Sequence, residues 1–234
     1  MRKTIAAIAV LTLSTVSQTG AADSDPRVTF TYSPLFDPAC YTAIKQPIDQ
    51  PMIDTARMHQ DEWKAEWDRE APALFSTTVK VTGLPFGFHE TIATVVTCPA
   101  FISMSSPLLL NVRQLLDRTK QGIAMKNEFS QMLFHEVLHR YINERIRALG
   151  GTTPSWEKYK AEPQPVRSHI YVEAIMELVY RTLGREEEGA AIRQRDAGRG
   201  AVAGGLRGAT DMARALEIVE KEGAATLVRE LSPK

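Results

Sequence analysis

The chain has 234 residues, enough for one domain with a full core, and its 44% apolar and 24% charged residues are those of an ordinary globular protein. Lys plus Arg and Asp plus Glu both number 28, so no net field draws the molecule to nucleic acid or to an anionic membrane. A nucleic-acid partner is therefore not expected.

The first 22 residues read as a signal peptide: Arg2 and Lys3 are positive, Ile5 to Leu13 is apolar, and Gly20-Ala21-Ala22 supplies small residues for cleavage. The apolar run is too short for a permanent anchor. The expectation is an exported protein, periplasmic or secreted, with no stable membrane insertion after cleavage. Residues 23–234 then form a single domain. Its two cysteines, Cys40 and Cys98, are candidates for one disulfide in an oxidising compartment. Neither has a cysteine nearby, so a thiolate metal site is not expected.

Val28 to Tyr32 alternates as a strand does. From Met52 to Leu74 the residues Ala56, His59, Trp63, Trp67 and Glu70 recur at spacings of three and four, which predicts a helix with the tryptophans as core anchors. Thr77 to Val81 and Thr91 to Thr97 are β-branched runs and predict strands. A further strand is expected around Pro107 to Leu110, with Pro107 suited to a sheet edge. Asn127 to Leu149 predicts a long helix closed by Gly150-Gly151. Residues 151–165 read as a loop, Val166 to Leu183 as a helix, 185–208 as a loose Gly-, Arg- and Glu-rich stretch, and Asp211 to Leu231 as a last helix. The layout is α+β: a sheet-bearing part over 23–122 and a mainly helical part over 123–234.

The long helix carries His135-Glu136-Val137-Leu138-His139. Histidines four apart share one helix face and can converge on one ion at about 2.0–2.1 Å each. Glu136 lies a step round the helix, too displaced to ligate but placed to reach a water held by that ion. Such a water has its pKa lowered to about 7, and a carboxylate beside it can take the proton as the water attacks a carbonyl. One zinc per chain is expected, with Glu136 as the catalytic base. A catalytic zinc needs a third protein ligand. The next helix offers His169 and Glu173, again four apart. His169 is favoured and Glu173 is the alternative; whichever does not ligate would orient a ligand. Tyr141, Tyr159 and Tyr171 are candidates by position for stabilising an oxyanion.

The run FSQMLFHEVLHRYIN, from Phe129 to Asn143, resembles the active-site helix of the zincin metallopeptidases. The segment Met52 to Val112 resembles their N-terminal subdomain, and Ser168 to Ile175 resembles a pattern in bacterial zincin-like proteins, where a histidine opens the helix after the motif. The resemblance implies a small mixed sheet packed on a backing helix and the active-site helix, followed by a mainly helical C-terminal part. It implies a metallopeptidase acting on a peptide or protein substrate, bound in extended form along an edge strand at Ser105 to Asn111. The chain departs from the metzincin pattern, since Arg145 stands where the third histidine of HExxHxxGxxH would be. The competing expectation is an exported zinc-binding protein that keeps the fold without catalysis. The oligomeric state is not legible in the sequence.

Overall fold

The computed structural model of the chain describes residues 25–100, 103–198 and 206–232. The leader expected over 1–22 lies outside the described residues. Among those described, no helix is long and apolar enough to cross a membrane.

The architecture is α+β, mostly helical, with one four-stranded mixed sheet. β1 (Arg27–Tyr32) leads through α1 (Phe36–Ala43), α2 (Gln50–Met58) and α3 (Gln60–Thr82) to β2 (Glu90–Val96), which pairs parallel to it with Val28 opposite Thr91. β4 (Leu108–Asn111) pairs parallel to the far side of β2, and the short β3 (Met104–Ser105) closes the sheet antiparallel to β4. The strand order is β1-β2-β4-β3. The edge role expected for Ser105 to Asn111 thus falls to β3 alone. All four residues of β4 are buried between two neighbours, as an apolar Leu108-Leu109-Leu110 run demands.

Helices follow: α4 (Arg113–Lys120), α5 (Glu128–Ala148), α6 (Pro154–Lys158), α7 (Gln164–Thr182), α8 (Glu186–Gly198), α9 (Leu206–Glu222) and α10 (Ala224–Arg229). Several of these differ from expectation for identifiable reasons. The strand predicted over Thr77–Val81 is the end of α3. Its buried stripe of Trp63, Trp67, Ala71, Leu74, Phe75, Thr78 and Thr82 keeps helical spacing, and burial outweighs β propensity. The Thr78 and Thr82 hydroxyls satisfy themselves on the carbonyls four residues back, at 2.8 and 2.7 Å. The single helix predicted from Met52 breaks at His59, which lets Ile53 of α2 join Tyr32 and Tyr41 in a small second core. The last helix breaks at Gly223, whose φ of 82° is left-handed and cheap only for glycine. Gly150-Gly151 does close α5, with Gly151 N–H bonding the Ile146 carbonyl at 2.8 Å.

α5 is buried on every side over Glu128–His139, packed between α3, α7 and the β3–β4 edge. A helix buried all round belongs to the core, so its polar side chains sit inside the protein rather than on a solvated face. α7 is equally central and packs against α3, α5, α8, α9 and α10.

α1 is fastened twice to the residues that follow β2. Cys40 and Cys98 form a disulfide, Cα to Cα 6.1 Å. The buried Asp37 carboxylate accepts from Thr97 N–H at 2.9 and 3.0 Å and from its hydroxyl at 2.7 Å. Asp37→Ala is expected to cost about 1–3 kcal/mol in urea unfolding, because it leaves a buried N–H without its acceptor. A loss within error of zero would mean that water or a neighbour takes over that N–H.

Candidate metal centre

Helical geometry stacks His135 and His139 on one face of α5, and α7 brings His169 to them from its second turn. The Nε2 atoms converge: His139 Nε2 lies 3.3 Å from His135 Nε2 and 3.2 Å from His169 Nε2. The rings are turned 41° to 89° from one another, so they meet at a point rather than stack. An ion bound tetrahedrally at 2.0–2.1 Å separates its ligand nitrogens by about 3.3–3.4 Å, which is the spacing of these imidazoles.

Their protonation suits the same use. The Nδ1 of His169 sits 2.7 Å from the Pro165 carbonyl. A carbonyl only accepts, so in the neutral ring the proton is on Nδ1 and the Nε2 lone pair faces the other histidines. Burial, reinforced by His169 and His135, holds the pKa of His139 well below the ordinary imidazole value. Burial also lowers that of His169, against the Pro165 bond and the carboxylates Asp196 and Asp211. Both are thus held in the neutral form that a metal needs.

Glu173 does not point to the point where the Nε2 atoms meet. It is 0% exposed and faces the other ring nitrogen of His135, with Oε1 3.8 Å from Nδ1. Neither of its oxygens accepts a hydrogen bond. Burial, then Asp196, raises its carboxyl above the usual range. Among the described residues the groupings able to hold a metal are His135, His139 and His169, and His135 with Glu173 and Asp196. Sequence reading missed Asp196, which belongs to α8 in the stretch read as loose. Its only signal is that an acidic residue is 4% exposed, which sequence does not show.

Glu136 belongs to neither grouping. It is as buried as the two histidines that flank it, at 8% exposed each. The three tyrosines are engaged elsewhere: Tyr141 donates to Thr82 Oγ1 at 2.8 Å, Tyr159 bonds Glu222, and Tyr171 bonds Thr153 and Glu230. All three hydroxyls are thus hydrogen-bonded within the protein. His59 pairs with Glu62 at 2.7 Å and stacks on the buried Trp63, and His89 is exposed before β2; neither approaches the cluster.

No protein-family model, curated protein or solved structure matches this chain.

Proposed function

We propose that the protein is an exported zinc-dependent hydrolase of peptide or amide bonds, built on a zincin-like fold. The observation that carries the reading is the convergence of three imidazoles, two of them from His-Glu-x-x-His: the His139 Nε2 lies 3.3 and 3.2 Å from those of His135 and His169, and the ligand atoms of all three lie within 4.8 Å of one another. His135, His139 and His169 hold one zinc per chain. Three protein ligands leave a position open, as a catalytic site requires and a closed structural site does not. A zinc ion held there would supply a Lewis acid and lower the pKa of the attacking water to about 7. Glu136 takes the proton of that water as its oxygen bonds to the scissile carbonyl carbon. It gives the proton to the departing nitrogen as the carbon–nitrogen bond breaks. Glu173 stands 3.8 Å from the Nδ1 of His135, where its carboxyl would accept that ring's N–H and orient the ligand when the ion is bound.

Two further features support the reading. β3 packs against α5 and is an outer strand of the sheet among the described residues, which suits an extended peptide substrate. The Cys40–Cys98 disulfide suits an oxidising compartment.

Metal analysis of the purified chain tests the assignment. The wild type is expected to hold about one zinc, His135→Ala and His169→Ala none, and Glu173→Ala about one with affinity weakened roughly 10–100-fold. A wild type that stays zinc-free after reloading would sink the proposal. Zinc retained by His169→Ala but lost by Glu173→Ala would exchange their roles.

A further inference from the structure

α8 lies against the back of the candidate metal centre. Ile192 on it is fully buried, and Gly189 sits so close to α7 that an added Cβ would come within 2.9 Å of the Tyr180 Cβ. Gln131 of α5 grips it at two points, donating to Glu188 at 3.0 Å and accepting from Arg195 at 3.1 Å. Arg195 also reaches Glu128 at 3.4 Å. This docking brings Asp196 inside, where a carboxylate oxygen lies within 4.8 Å of both the His135 nitrogen and a Glu173 oxygen.

Two carboxyl groups that close, away from water, are costly to charge together without compensating charge. Arg195 covers Asp196 at 2.9 and 3.2 Å, but no donor bonds Glu173. The side chain between this pair and the three converging nitrogens is His135. With an ion on Nε2, its Nδ1–H would become a stronger donor toward the carboxyl groups behind it, and the negative charge there would strengthen the ligand in return.

We propose that Asp196 is a positioning residue for the metal centre, acting through Glu173 and His135, so that metal binding and the docking of α8 are coupled. The inference rests on the zinc reading above, and it adds a helix that contributes no ligand. Coupling is reciprocal: whatever α8 docking gives to metal affinity, metal gives to α8 docking.

The test compares wild type with Asp196→Asn by zinc competition against a chromophoric chelator and by amide hydrogen exchange with and without zinc. Zinc affinity is expected to fall about 10–100-fold in the variant. Exchange over residues 186–197 should slow on zinc addition in the wild type and change less in Asp196→Asn. The zinc-free variant should still fold, melting somewhat below the zinc-free wild type because Arg195 loses the carboxylate it bonds at 2.9 and 3.2 Å. Wild-type affinity in Asp196→Asn, or α8 exchange indifferent to zinc, overturns the proposal and leaves the zinc reading standing. Zinc-free Asp196→Asn and Asp196→Glu that both melt far below wild type would assign the residue to the fold alone. A second zinc per chain, lost in Asp196→Asn, would make the pair ligands instead. A wild type that binds no zinc removes the zinc reading and this coupling together.

Discussion

Glu136→Gln is expected to leave one zinc in place while slowing peptide hydrolysis about 10²–10⁴-fold. The substitution keeps the size and the hydrogen-bonding shape of the side chain, and removes only its capacity to take a proton. Packing should hardly change, since Glu136 is flanked by Phe134, Val137 and Leu138, all fully buried and untouched. The three converging nitrogens belong to other residues, so metal content should be unaffected. The measurement is turnover of a quenched fluorescent peptide library beside zinc content for both proteins. Equal turnover would place the base elsewhere. Zinc bound in both with turnover in neither would favour a zinc-binding protein without catalysis, because a site that only holds metal has no use for Glu136.

Removing the Cys40–Cys98 bridge by Cys40→Ala with Cys98→Ala should cost about 4 kcal/mol, the loop-closure value for a separation of 58 residues. Against a typical net stability of 5–15 kcal/mol that is a large share. The loss should spare the zinc content, because the histidines stand on α5 and α7 and the bridge ties α1 to the end of β2. It should also be mimicked by reductant. Cys98 lies where the chain leaves β2 for β3, and its carbonyl accepts from the Asn111 amide, while Asn111 N–H donates to Ser103 at 3.0 Å. Activity on long peptides is therefore expected to suffer more than zinc binding. Urea unfolding of wild type, wild type with reductant and the double variant measures the cost. Coincident curves would mean that the folded chain gains nothing from the bridge.

How much of this was legible beforehand depended on where periodicity and burial agree. β1, β2, α5 and α7 repeat their apolar residues at a single period, and each was placed within a few residues. The α+β layout followed from them. α3 was cut short because its Thr77–Val81 turns are β-branched, and only the tertiary contacts of Thr78 and Thr82 make helix the better choice. α8 was read as loose because its three glutamates, three glycine or alanine neighbours and arginines show no apolar stripe; its docking is made by Ile192 and by charged pairs that sequence cannot match up. For the same reason Asp196 was invisible. That His169 joins His135 and His139 was legible because a His-Glu-x-x-His pair calls for a third partner and few histidines exist in the chain. Glu173 was legible as a member of the site, but the side of His135 it faces is set by the α5–α7 packing, which spacing does not encode.

That α7 touches α3, α5, α8, α9 and α10 has a consequence for the order of assembly. The His135–His139 pair exists as soon as α5 forms, but two imidazoles on an isolated helix make a loose, non-selective chelate. The third arrives 30 residues later, on a helix held in place by elements later still. On the proposed zinc reading, an emerging or unfolded chain would bind ions only weakly, and tight uptake would wait until the C-terminal helices have closed. Metal selection would then be a late event, carried out by the completed structure.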